Sequence, residues 1–252
     1  MKIYSQEPKN WKDLQDLTSK FLFEIGYDCE VEKDIISARS SINIDVYAKN
    51  NKIVPNSIIL CECKHWSSAI PQHVIHSFRS VISDIGANYG FIISKKGFQK
   101  ASYEAVKNTN INLFNWNDFI DHFREEWIKS MTIRIHLANR ALLSYVGVGF
   151  PTFFKNEYLG LNNEEHDKFE ILTNYYFNTA FYSMEHDYRD LETKMFDVKY
   201  FEQNILRAEK EYQRTFDSYE SFYDFLRKDG EKGIMEFDNL FKKQLRKDYS
   251  QY

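Results

Sequence analysis

Four consecutive apolar residues, Ile58-Ile59-Leu60-Cys61, lead directly into the charged residues Glu62 and Lys64. A strand that is apolar on both faces must be covered on both faces, which is typical of central strands in α/β sheets. Around it, helical spacing of apolar residues predicts helices at 11–25, 71–85 and 101–106, and shorter apolar runs predict strands at 27–31, 42–48, 89–94 and 111–114. The order α-β-β-β-α-β-α-β predicts a three-layer α/β domain with a central mixed sheet.

Residues 131–252 have a different pattern, in which apolar and aromatic side chains recur every three or four positions among charged residues. The whole chain of 252 residues contains only 9 Gly and 4 Pro, so few positions interrupt this pattern. Almost continuous helix is therefore expected there. Aromatic side chains at this spacing are more often core or partner-facing than base-stacking. We predict an α/β domain at 1–125 and an all-α region at 126–252.

The charge and cysteine content exclude several classes of protein. Lys and Arg number 33 against 37 Asp and Glu, a net charge of −4, so any contact with nucleic acid must come from a local basic patch. Three cysteines, an odd number, argue against a disulfide framework and suit a reducing compartment. The N-terminal residues lack the apolar stretch of a signal peptide, and the longest apolar run, 141–154, is too short to cross a bilayer. A cytoplasmic protein without membrane contact is expected.

Charged residues interrupt two of the predicted strands. Asp45 lies within the alternation of Ile44 and Val46, although Asp is depleted in strands. Glu62 and Lys64 share one face of the next strand, because side chains two apart point the same way. If the strands are neighbours, two carboxylates and an ammonium meet at the sheet edge. Such carboxylates repel each other unless a divalent cation lies between them, and Mg²⁺ favours sites of this type. Two carboxylates and a lysine are the residue types that metal-assisted phosphodiester hydrolysis uses. The simpler interpretation is a polar strand face with an ordinary ion pair.

Three further stretches accompany these residues: 58–66 (IILCECKHW), 86–94 (GANYGFIIS) and 97–101 (GFQKA). Together with Asp45 they resemble the Mrr-type catalytic domain of the PD-(D/E)xK restriction-endonuclease-like superfamily, over roughly residues 10–120. The resemblance implies a DNA-cleaving domain at 1–125 that uses Mg²⁺, with Mn²⁺ expected to substitute. It implies that Asp45 and Glu62 bind the metal, with the main-chain carbonyl of Cys63 as a further ligand. Lys64 is then the catalytic lysine.

The chain departs from this family pattern at three places. Many Mrr-type domains have Gln where this chain has Glu62, so the site is closer to the general superfamily form. Many also carry a Glu on the first helix, for which Gln15 is the nearest position here and Asp16 and Glu24 are other candidates. The glycine-rich approach to the aspartate is replaced by residues 39–43 (RSSIN).

Other residues allow two interpretations each. Cys61, Cys63 and His65 could suggest zinc, but alternation places them opposite Glu62 and no fourth ligand with finger-like spacing follows. The HxxH pair at 73 and 76 is more simply explained as helix histidines, although His73 or Gln72 could face the site.

Lysines 95, 96 and 100 follow a strand and open a helix, where they form either a solvated turn or a phosphate contact with DNA. The leading hypothesis is a DNA endonuclease in bacterial restriction or anti-phage defence, with the helical region serving in oligomerisation, sensing or partner binding. The alternative is a non-catalytic nucleic-acid-binding or assembly module with the same fold. A weaker one is cleavage of DNA junctions or RNA.

Overall fold

The computed structural model describes residues 1–36, 41–52, 54–147, 154–184 and 198–244. The first two residues of the predicted approach to Asp45, at 39–40, and part of the apolar run 141–154 lie outside these ranges. The chain divides into two compact units, one of residues 6–127 and the other of residues 1–5 together with the chain from 128 onward. The predicted functional division into domains 1–125 and 126–252 stays a prediction.

Five strands form one sheet in the first unit, and they lie in chain order across it. The strands are β1 (Asp28–Ile36), β2 (Ser41–Asn50), β3 (Ser57–Lys64), β4 (Tyr89–Ser94) and β5 (Ile111–Asn115). The pairs β1–β2 and β2–β3 are antiparallel, whereas β3–β4 and β4–β5 are parallel. The predicted mixed sheet is therefore confirmed. The first strand is longer than predicted, because an edge strand with solvated side chains lacks a continuous apolar signal.

Helices cover both faces of this sheet. They are α1 (Trp11–Glu24), α2 (Gln72–Ile85), α3 (Lys100–Ala105) and α4 (Trp116–His122). Asn10 caps α1 by accepting a hydrogen bond from the main-chain nitrogen of Asp13, and α2 ends at Gly86 in the left-handed conformation, with φ of 72°. Helix α4 was not predicted, because a helix of seven residues has too few turns to show a periodic pattern.

The two faces of the sheet have separate apolar cores. Phe91 and Ile92 are consecutive in β4 and therefore point to opposite faces. Ile92 belongs to a cluster beneath α2 and α3, and Phe91 contacts aromatic rings of α4 and β5. The first cluster contains Ile44, Leu60, Ile70, Ile75, Phe78, Ile82, Ala87, Ile92, Ala105 and Ile111. Phe21 of α1 packs with Phe119 of α4 on the second face. These layers confirm the predicted three-layer α/β fold.

In the second unit, every described element is a helix, apart from a single isolated β-bridge. The helices are α5 (Arg124–Ala138), whose first turn belongs to the first unit, α6 (Arg140–Val146), α7 (Lys155–Leu159), α8 (Asn163–Met184), α9 (Val198–Glu211) and α10 (Tyr219–Phe241). Its core places Leu142 of α6, Tyr176 of α8 and Phe237 of α10 in one buried cluster. The prediction of a helical C-terminal region is confirmed for the described residues. None of the described helices combines the length and the apolar character that crossing a bilayer requires.

The first five residues pack with this helical unit, which the sequence did not predict. Lys2 forms an isolated parallel bridge with Ser218. The main-chain nitrogens of Tyr219 and Glu220 donate to the carbonyls of Lys2 and Ile3, at 2.9 and 3.0 Å. The N-terminal segment thus satisfies donors in the first turn of α10.

Gly230 permits the close approach of α10 to Asn139, and we expect an added methyl group to be destabilising. A Cβ at position 230 would lie 2.0 Å from Oδ1 of Asn139. That side chain is buried and held by hydrogen bonds from Nδ2 to Oγ of Ser183, at 2.7 Å, and to the carbonyl of Leu226, at 3.1 Å. Gly230→Ala is expected to lower the free energy of unfolding by about 1–3 kcal/mol in urea denaturation.

Helix propensity acts in the opposite direction, since Ala in an open helical position is favoured over Gly by roughly 1 kcal/mol. The sign of the change in unfolding free energy therefore distinguishes a steric clash at position 230 from a simple gain in helix propensity. Met235→Ala, at an exposed position of the same helix, is the control and should change stability by less than about 0.5 kcal/mol. A stabilising Gly230→Ala substitution would contradict the close approach.

Candidate active site

Asp45, Glu62 and Lys64 lie where the hydrogen-bonded ladder between β2 and β3 ends. The last pair in that ladder is Val46 opposite Cys61. Beyond it, β2 remains paired with β1 and β3 remains paired with β4. The two strands thus part from each other at the point where their polar side chains begin.

The carboxylate of Asp45 replaces the missing ladder contact. Its Oδ2 accepts a hydrogen bond from the main-chain nitrogen of Cys63, at 2.7 Å, and its Oδ1 accepts one from Nε2 of Gln15, at 2.9 Å. An N–H that loses its strand partner in a partly buried place must find another acceptor. These two bonds explain why an aspartate is tolerated within an apolar strand, and they fix the orientation of the carboxylate.

Lys64 supplies a positive charge between the two carboxylates. Its Nζ forms an ion pair with Glu62 and lies 3.9 Å from Oδ2 of Asp45. Burial raises the pKa of the Glu62 carboxyl, the Lys64 ammonium opposes this effect, and the Asp45 carboxylate adds to it. Burial by itself lowers the pKa of Lys64, but the two carboxylates outweigh it, so the pKa of the ammonium is raised. The lysine is therefore held in its charged form.

Of the three first-helix candidates, only Gln15 contacts this group. Gln15 is buried and donates to Asp45, whereas Asp16 is exposed and pairs with Lys12 across 3.6 Å. Glu24 instead accepts a hydrogen bond of 2.5 Å from the indole nitrogen of Trp127. The sequence leaves these alternatives open, because the rotation of the helix about its axis relative to the sheet depends on tertiary packing.

The oxygen atoms of the site fit a hard divalent cation. Asp45 and Glu62 provide carboxylates, and Oε1 of Gln15 is buried without a hydrogen-bond partner among the described residues. Oxygen donors of this kind suit Mg²⁺ and Mn²⁺. No group of three or more His, Cys, Asp or Glu side chains is arranged for metal binding in the described parts of the chain. A site here would accordingly depend on carbonyl and water oxygens as well as carboxylates.

Two of the three lysines predicted as DNA contacts, Lys95 and Lys96, lie on the turn that follows β4. The main-chain nitrogen of Lys95 donates to the carbonyl of Lys64, at 3.1 Å, which holds this turn beside the site. Lys95 and Lys96 line a cavity of about 690 Å³, whereas Lys100 begins α3 and does not line it. The histidines at 73 and 76 are exposed on α2. No sequence pattern signalled the cavity, because four separate segments of the chain form it.

The cysteines beside the site are buried. Burial raises the pKa of the Cys61 thiol well above its usual value. Cys63 is also buried, and its Sγ lies 3.8 Å from Oγ1 of Thr18 on α1. His65 lies beyond the strand, with Nε2 3.3 Å from the carbonyl of Pro8. Cys61 and Cys63 thus occupy the packed interior rather than the polar edge.

A mixed five-stranded sheet between helical layers, with a carboxylate–lysine group where two strands part, defines a restriction-endonuclease-like α/β domain. Comparison with protein families supports this: residues 8–123 match a family model described as a restriction endonuclease, of the Mrr catalytic-domain type. This segment is therefore an Mrr-type restriction-endonuclease domain, as the sequence resemblance predicted. The match covers residues 8–123 of 252, and it is this segment that carries the nuclease assignment.

Two other comparisons add little. A solved structure described as the crystal structure of a protein of unknown function, AF1548, is similar at 15% sequence identity with a TM-score of 0.40. The similarity covers 66% of this chain and 97% of that chain. No curated protein matches the chain.

Removal of the Asp45 carboxylate should loosen the end of β3. Asp45→Ala leaves the main-chain N–H of Cys63 and the amide of Gln15 without their acceptor, and each unpaired donor costs about 1–3 kcal/mol. We expect a lower unfolding free energy and faster hydrogen exchange at the Cys63 amide, measured by NMR. Asp34→Ala is the control, because that carboxylate accepts only from the exposed side chain of Asn43 among the described residues. Unchanged exchange at Cys63 would contradict the described role of Asp45.

Proposed function

We propose that the chain is a Mg²⁺-dependent endonuclease that hydrolyses phosphodiester bonds of DNA, with Mn²⁺ able to substitute. One observation carries the proposal: Asp45, Glu62 and Lys64 meet where two strands part, inside a restriction-endonuclease domain. Two carboxylates beside a held ammonium suit metal-assisted attack on a phosphodiester.

Each residue has a separate role in this proposal. Asp45, Glu62 and the carbonyl of Cys63 hold the cation, which polarises the phosphate and activates water when bound. The ammonium of Lys64 orients the attacking water or stabilises the negative charge that develops on the phosphate. Gln15 acts through Asp45, because its hydrogen bond of 2.9 Å fixes one carboxylate oxygen.

The remaining assignments concern substrate and biological setting. Lysines 95, 96 and 100 contact the DNA backbone. They form a local basic patch that attracts the phosphates although the overall charge of the chain is −4. The domain at 126–252 serves in oligomerisation of identical chains, in sensing or in binding a partner protein. Three free cysteines support a cytoplasmic location. The family match supports a role in restriction or anti-phage defence.

Cleavage should depend on the metal and on Lys64. We expect purified protein to cut plasmid DNA with Mg²⁺ or Mn²⁺ and not with EDTA. Lys64→Ala should reduce the cleavage rate by at least about 100-fold, the order of effect of a lost charge-stabilising group. The rate is measured by gel electrophoresis of plasmid and linear DNA.

Asp45→Asn should have an equally large effect, and Lys52→Ala, a change at an exposed lysine outside the site, should have none. Cleavage that persists in both Lys64→Ala and Asp45→Asn would exclude this site. DNA binding without cleavage under any metal would instead favour the non-catalytic module.

Metal binding and catalysis should respond in opposite directions to loss of Lys64. Its ammonium competes with a cation for the carboxylates of Glu62 and Asp45. We therefore expect Lys64→Met to bind Mn²⁺ about tenfold more tightly, equal to about 1.4 kcal/mol, although it does not cleave. Isothermal titration calorimetry measures this, and Asp45→Asn is expected to abolish binding. Weaker binding by Lys64→Met would contradict the competition.

A further inference from the structure

The cavity beside the site is large enough for a small ligand and lies wholly within the first unit. Its volume is about 690 Å³, and it opens at the carboxyl ends of β3, β4 and β5. Cavities of about 300–1,000 Å³ are typical of small-molecule sites. In α/β sheets, ligands bind beyond the carboxyl ends of the strands.

The basic side of the cavity has two lysines available to a ligand. Lys95 and Lys96 are exposed, and neither forms an ion pair with any residue that the structure describes. Free lysines of this kind bind the phosphates of nucleic acids. Two hydrogen bonds hold the main chain of this turn in place. The nitrogen of Lys95 donates to the carbonyl of Lys64, and Oγ of Ser94 donates to the carbonyl of Gly97 at 3.0 Å.

The rest of the lining suits a nucleobase better than a simple anion. Glu7 and Asp118 place carboxylates on the wall, which disfavours an inorganic phosphate but can accept from base amino groups. Asn117 is exposed, and its amide is of the type that pairs with an adenine edge. The half-buried ring of His65 adds planar surface for stacking.

The cavity adjoins the strand end that carries Lys64, although Lys64 itself does not line it. His65, which lines the cavity, directly follows Lys64 in the chain. The hydrogen bond from Lys95 to the carbonyl of Lys64, at 3.1 Å, joins the other wall to the same strand end. The cavity and the proposed catalytic group thus share one end of β3, which is the basis for assigning the cavity to the same DNA substrate.

We propose that this cavity holds one unpaired nucleotide of the DNA substrate, with its phosphate on Lys95 and Lys96 and its base beside Asn117. The inference rests on the proposed function and names a substrate feature for it. A nucleotide that is already unpaired enters at lower cost than a paired one, because no base pair is lost. The protein should therefore prefer DNA that contains such a nucleotide.

The test compares two DNA duplexes in EDTA, where no metal-dependent cleavage takes place. One duplex is fully matched, and the other carries a single bulged 2-aminopurine. We expect the full chain to bind the bulged duplex at least tenfold more tightly, with a change in 2-aminopurine fluorescence. Asn117→Phe fills the cavity and should bring the affinity ratio close to one. Asn112→Phe, at an exposed position of β5 outside the cavity, should preserve it.

The lysines provide a second, matched comparison. Lys95→Ala and Lys96→Ala should each lower the affinity ratio severalfold, whereas Lys100→Ala should weaken both duplexes alike and leave the ratio unchanged. A ratio near one for the unaltered protein, or a ratio that Asn117→Phe does not change, would overturn the inference. Cleavage with Mg²⁺ is measured separately, so loss of the nuclease proposal and loss of the nucleotide pocket give different results.

Discussion

The hydrogen bond from the main-chain nitrogen of Cys63 to the carboxylate of Asp45, at 2.7 Å, is the contact on which the polar edge of the sheet depends. Strands β2 and β3 stop pairing after Val46 and Cys61. Without another acceptor, the divergence would leave a partly buried N–H unpaired. The carboxylate fills that position, so the same side chain closes the sheet and faces the other charged groups. Structure and proposed chemistry thus share one residue.

This arrangement has an electrostatic consequence for its neighbours. Two carboxylates that lie close together in a partly buried place repel each other, and the ammonium of Lys64 offsets that repulsion. A cation that enters must compete with this lysine for the same oxygens. In the proposed function, a cation held by these carboxylates would take the place of the ammonium there and leave it available to a substrate phosphate.

Particular residues show how far the sequence was informative. The run from Ile58 to Cys61 predicted a central strand, because only a strand covered on both faces tolerates such a run. Asp45, Glu62 and Lys64 were predicted from the breaks in this pattern, and the structure brings them together. By contrast, the choice among Gln15, the nearest position, and the other candidates Asp16 and Glu24 stays open from sequence, since periodicity gives a helix its faces but does not give its rotation against a sheet.

The sequence by itself determined the strand and helix order from α1 to β5, the helical character of the second half, and the family to which residues 8–123 belong. These depend on local apolar spacing and on short motifs, which are visible along the chain. Only the tertiary structure decided that Gln15 reaches Asp45, that the first five residues pack with α10, and that His65, Lys95 and Asn117 line one cavity. Each of these joins segments distant in the chain, and such contacts depend on packing and on how strands end rather than on local pattern.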